Sequence, residues 1–349
     1  MPEDWKEIYS ELKSFINHHP DIKIKKNVTN IPESLKNDFY RLFDQVRTLF
    51  VQNKCRNLLN EAAMISEGYL AAEKEVIELL SLQKVSMPDG LSLFLHNPVE
   101  ELIKGLFGLL FDLLSFKIDV RTFENSAMRN VESSFNNLSP SGYEKWGILS
   151  LVKMLNVDKL FDVEIRKFVN LISITQGGTF LSANVVQKPA ETNSLAFKPD
   201  SNVICTVPDF ICHSPVVNGF FAVKADMRRS LGRISSLGTS RESHAINAEV
   251  EYAAGLTLIY FDNNLDNLNI LGDREKMLQP DLIIQYTGQV NWLESKKLDN
   301  LKIVNDNLKP KSGILMATLE ALSKNMDMCK KEHILSMPKA PIFKVQQLF

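Results

Sequence analysis

Pro280-Asp281-Leu282-Ile283-Ile284-Gln285-Tyr286-Thr287-Gly288-Gln289-Val290-Asn291-Trp292-Leu293-Glu294-Ser295-Lys296-Lys297 places two apolar runs on either side of a Thr-Gly pair. That pattern predicts a β-hairpin. With Thr287 and Gly288 as the loop, Tyr286 faces Gln289 and Asp281 faces Glu294. A four-residue loop on the same centre gives the same pairing. Directly opposed residues have Cβ atoms about 4.5–5.5 Å apart, and like charges there destabilise the sheet. Lys296, two residues past Glu294, shares its face. Two carboxylates and an amine on one patch suit a divalent cation, because hard cations take carboxylate, phosphate and water oxygens.

Pro280-Asp281, twelve intervening residues and then Glu294-Ser295-Lys296 resemble the PD-(D/E)xK nuclease superfamily. The resemblance covers roughly residues 235–345. It implies a restriction-endonuclease-like α/β domain with a mixed central sheet, and metal-assisted hydrolysis of DNA or RNA. Asp281 and Glu294, with the Ser295 carbonyl, would hold Mg²⁺ or Mn²⁺, and Lys296 would orient water or stabilise charge. The superfamily often takes a further carboxylate from the helix preceding its sheet. Glu249 or Glu251 matches that place in chain order; they point about 200° apart on a helix, and Glu249 is favoured. His244 is a further candidate ligand, or a first-turn surface residue. The same hairpin also reads as an ordinary solvent-facing one. Pro20-Asp21, Pro88-Asp89, Pro199-Asp200 and Pro208-Asp209 are further Pro-Asp pairs, none with Glu-x-Lys at hairpin distance.

The 349 residues favour two domains. A net charge of −2 excludes a global basic field, so nucleic-acid contacts must be local. Lys224, Arg228, Arg229, Arg233 and Arg241 stand against one acid, Asp226, in a Gly/Ser-rich segment, and with Lys297 they are the candidate phosphate contacts. Cys55, Cys205, Cys212 and Cys329 form no disulfide framework, which favours a reducing, intracellular setting. The most apolar run, Leu102 to Ile118, carries Lys104, Asp112 and Lys117 and falls short of the about 20 residues of a membrane span.

Residues 1–175 read as an all-helical domain suited to targeting or partner binding. Its helices are expected near 4–17, 33–82 (one long helix or two, with Gly68 a possible break), 98–118 and 143–174, with a loop at Asn136–Gly142. Residues 176–222 read as a linker or β-rich elaboration, and 223–349 as the nuclease-like domain. In that domain a helix is expected at Ser243–Ala254, a strand at Gly255–Phe261, a helix at Ser312–Lys331 and closing strands at His333–Met337 and Ile342–Leu348. The fold class is α+β. The competing reading is a non-catalytic helical scaffold whose C-terminal domain keeps a nuclease-like fold without its chemistry.

Overall fold

The computed structural model describes residues 4–25, 28–163, 165–172, 179–186, 189–198, 208–225, 255–269, 279–287, 304–305, 309–318 and 334–338. The fold is α+β, as expected. The chain forms two compact units, Met1–Glu67 with Gly90–Ser139, and Gly68–Asp89 with Pro140–Phe349. This partition differs from the 1–175, 176–222 and 223–349 drawn from composition. No helix among the described residues is long and apolar enough to cross a membrane.

The first unit is built on helices. Asp4 caps α1 (Trp5–His18), its side chain accepting from the Lys6 N–H at 3.2 Å. The small ribbon β1 (Lys23–Lys25) and β2 (Val28–Asn30) follows. α2 (Glu33–Lys54) ends at Cys55, and α3 (Arg56–Leu80) starts directly after it. The long block is thus two helices, broken at Cys55 and not at Gly68. Gly68 lies inside α3, where a Cβ would stand 2.3 Å from the Trp146 ring. β3 (Lys84–Ser86) and α4 (Asp89–His96) precede α5 (Pro98–Lys104), which opens as its sequence dictates, with Asn97 accepting from the Glu100 N–H and Pro98 in the first turn. α6 (Leu106–Leu114) completes the apolar run. The core of this unit is aromatic: Trp5, Phe50 and Phe123 meet with centroids 5.3–5.4 Å apart.

α7 (Val120–Met154) includes Pro140, where a loop is expected from composition. Phe135 and Tyr143, on either side, are both buried. Packing at both ends outweighs the roughly 3 kcal/mol that an interior proline costs. The helix stops at Met154, not near 174. Asn156 takes a left-handed φ of 48° beyond its end, and β4 (Lys159–Asp162) and β5 (Ile165–Ile172) follow. β5 pairs with β6 (Thr179–Val186) as a ribbon.

The second unit carries an eight-stranded mixed sheet. β7 (Ala190–Glu191) is at one edge, and β8 (Ser194–Ala196) pairs instead with β3. β9 (Phe210–Ser214), β10 (Gly219–Lys224), β11 (Leu256–Asp262), the short α8 (Leu265–Asn269), β12 (Leu282–Thr287), β13 (Ile314–Thr318) and β14 (Ile334–Pro338) complete it. The strand order is β14-β13-β12-β11-β10-β9-β4-β7. β12, β13 and β14 are parallel, and every other neighbouring pair is antiparallel.

Two expectations are corrected by this order. Both edges of β12 are taken: Leu282–Gln285 pair with β11 and Ile283–Thr287 with β13. Both neighbours of β12 are therefore strands other than the predicted hairpin partner, and Gln289–Lys297, with Glu294, lie outside the described residues. Residues 314–318, expected to start a helix, are a strand paired on both sides. Strands within parallel layers are continuous apolar runs, which periodicity cannot tell from a buried helix. β11 and β14 fall where strands are expected. Ser243–Ala254 and Ile342–Leu348 lie outside the described residues.

One sheet face packs on the C-terminal part of α7. Thr257 Oγ1 donates to Glu144 at 2.6 Å, and the Tyr143 and Tyr286 rings meet edge-on at 5.6 Å. Gly147 makes this approach possible, since a Cβ there would lie 2.0 Å from Tyr286 Cε1. Leu258 alternates with Thr257, so it and its cross-strand partner Lys224 point to the opposite face.

Candidate functional site

The hairpin that brings a Pro-Asp pair and a lysine together is β9–β10. Pro208-Asp209 heads β9, the turn Pro215–Asn218 reverses the chain, and β10 ends at Lys224. The register runs from Gly219 opposite Ser214 to Val223 opposite Phe210. Asn218 at φ 51° followed by Gly219 gives the turn its conformation. The Asp209 N–H donates to the Val223 carbonyl at 2.8 Å, which fixes the aspartate beside the end of β10.

Asp209 Oδ1 then lies 2.9 Å from Lys224 Nζ, and Oδ2 accepts from the Ala225 N–H at 2.8 Å. The two side chains are 1% and 6% exposed. Removing one partner from a buried pair leaves an uncompensated charge, so each holds the other in place. Lys224 is therefore not the free phosphate contact read from the local basicity: its stem is inside the sheet and its ammonium is committed to Asp209. Two residues before the lysine, where the superfamily pattern has a carboxylate, stands the buried Ala222.

Asp281 sits at the head of β12 and ties three segments. Its Oδ2 accepts from the Phe261 N–H at 2.7 Å, its Oδ1 from Lys311 Nζ at 2.8 Å, and its carbonyl from the Ser312 N–H at 2.7 Å. It is 17% exposed and Lys311 58%. The neighbouring Tyr260 phenol is held far above its ordinary pKa by burial first and by the Asp281 charge second. These contacts make Asp281 a strand-to-turn tie. Its expected companions Glu294, Ser295, Lys296 and Lys297 lie outside the described residues, as do Glu249, Glu251, His244, Arg228, Arg229, Arg233 and Arg241.

Among the described residues no group of three or more His, Cys, Asp or Glu could hold a metal. Asp209 and Asp281 each spend one oxygen on a backbone N–H and the other on a lysine. A divalent cation takes several oxygen ligands, so the described residues alone do not fit Mg²⁺ or Mn²⁺. Cys212 is a buried core residue, and burial pushes its thiol well above its usual range.

The β9–β10 hairpin was missed from sequence although its signal is present. Phe210-Ile211-Cys212 and Phe220-Phe221-Ala222-Val223 flank Pro215…Asn218-Gly219, and Asn-Gly between apolar runs is a strong hairpin mark. No family model, curated protein or solved structure matches the chain.

Proposed function

We propose that the second unit binds and hydrolyses a phosphodiester of DNA or RNA, with Asp209 and Lys224 at its centre. What supports the reading is one observation: a Pro-Asp-headed hairpin holds a carboxylate and an ammonium 2.9 Å apart within the sheet. A lysine so placed reaches a phosphoryl oxygen only by exchanging Asp209 for it, and a charge held ready in this way is worth most where water is excluded. Asp209 positions that ammonium. The superfamily resemblance rests on Pro280–Lys296; this hairpin shares only the order Pro-Asp, strand, turn, strand, lysine, and has Ala222 where that pattern has a carboxylate. A requirement for Mg²⁺ or Mn²⁺ belongs to the resemblance. Glu294 and Glu249 are the sequence's candidates for the missing carboxylates. The buried thiols of Cys55 and Cys212 accord with an intracellular setting.

A second reading is favoured by Ala222 itself. Without a carboxylate there, the unit is a nuclease-like platform without activity, and the helical first unit, with Phe107 and Phe116 exposed, binds a protein partner. Cleavage assays separate the two. Labelled single- and double-stranded DNA and RNA are incubated with the full chain in Mg²⁺, in Mn²⁺ and in chelator. Cleavage that needs the cation supports the enzyme; no cleavage of any substrate, with nucleic acid or not bound, supports the platform.

A further inference from the structure

A cavity of about 440 Å³ opens beside the α7-facing side of the sheet, at the end away from Lys224. Leu151, Ile259, Phe261 and Leu282 supply apolar walls, and Asp262 and Asp281 line it as well. We propose that it binds a small apolar ligand carrying a protonated amine. The volume lies in the range of small-molecule sites, which pair an apolar body with a few orienting polar groups. Both charged groups among the lining residues are carboxylates. Asp262 accepts from the Asn264 N–H at 2.8 Å and from Asn267 Nδ2 at 3.0 and 3.1 Å, all amide donors, and has no cation partner among the described residues. Asp281 has one in Lys311, whose side chain is 58% exposed and can swing into water. A ligand ammonium takes Lys311's place on Asp281 or neutralises Asp262, while its apolar body covers the walls. A phosphate or carboxylate ligand meets repulsion from the same two groups. This inference is independent of the phosphodiester reading, whose lysine points to the other sheet face.

The test is calorimetric titration of the full chain with phenethylamine at neutral pH, with phenethyl alcohol and phenylacetate as matched neutral and anionic probes. The ammonium binds tightest and phenylacetate weakest. Asp262→Asn, which keeps an oxygen for the amide donors, weakens the ammonium about fivefold and leaves the alcohol unchanged. Lys311→Met strengthens it, because the competing cation is gone; a merely damaged fold does not gain affinity. Equal affinities for amine and alcohol, an absence of binding by all three probes, or a Lys311→Met variant that binds the amine no better would each overturn the proposal.

Discussion

Lys224 Nζ stands 2.9 Å from Asp209 Oδ1, a pair formed across fifteen positions of sequence by one hairpin and buried on both sides. Removing the ammonium alone strands the carboxylate. Lys224→Met is expected to cost about 3–5 kcal/mol in urea unfolding. Asp209→Asn with Lys224→Met leaves no charge buried and keeps an oxygen for the Ala225 N–H, so the double variant recovers most of that loss. A double variant as unstable as the sum of the singles would show that the two residues are not a pair.

The Tyr286 hydroxyl is fully buried and has no hydrogen-bond partner among the described residues. An unpaired buried hydroxyl costs on the order of 1–3 kcal/mol. Tyr286→Phe is therefore expected to be neutral or to stabilise by about 1 kcal/mol, which thermal unfolding measures. Gly147→Ala, which drives a methyl into the same ring, should destabilise by about 1–3 kcal/mol. The opposite ordering of these two variants would contradict the packing of α7 on β12.

Asp281 acts as a tie, and its lysine is at the surface. Lys311→Ala should change stability by no more than about 1 kcal/mol, as exposed ion pairs do. Asp281→Ala should cost more, about 1–2 kcal/mol, because the Phe261 N–H loses its acceptor. If Asp281 belonged to a metal centre, saturating Mg²⁺ would stabilise the wild type and not this variant; equal shifts in both are expected.

Burial pushes the Cys55 thiol up from 9.0 to about 11, with the nearby Glu132 charge adding to it. The folded protein holds this proton at pH values where the unfolded chain has released it. Stability from this group is complete below about pH 9 and is lost as pH rises towards about 11. Native Cys55 should resist thiol reagents at pH 8 and react once the chain is unfolded. Rapid reaction in the folded state would contradict its burial.

What the sequence made legible was local. Asn97-Pro98 marks a helix start, the β-branched and aromatic residues of 256–261 mark β11, and the α+β class follows from the change in composition. What it hid was set by tertiary partners. Ile314-Leu315-Met316-Ala317 carries no alternation because it lies between two parallel strands. Pro140 ends no helix because packing on both sides holds it. The first half of the predicted Pro280–Lys297 hairpin is β12, paired with β11 and β13; its second half lies outside the described residues. The Asp209–Lys224 pair carries no motif signal in the sequence, because Ala222 stands where the pattern has a carboxylate.

Cleavage by three variants of the full chain tests the central claim most directly: the Asp209→Asn, Lys224→Met double variant, Lys296→Met, and Asp281→Asn, each first shown to be folded by circular dichroism. The assignment to the β9–β10 hairpin predicts that the double variant loses cleavage while Lys296→Met and Asp281→Asn keep it. Full activity in the double variant, with loss in Lys296→Met, would place the chemistry at the other stretch and contradict it.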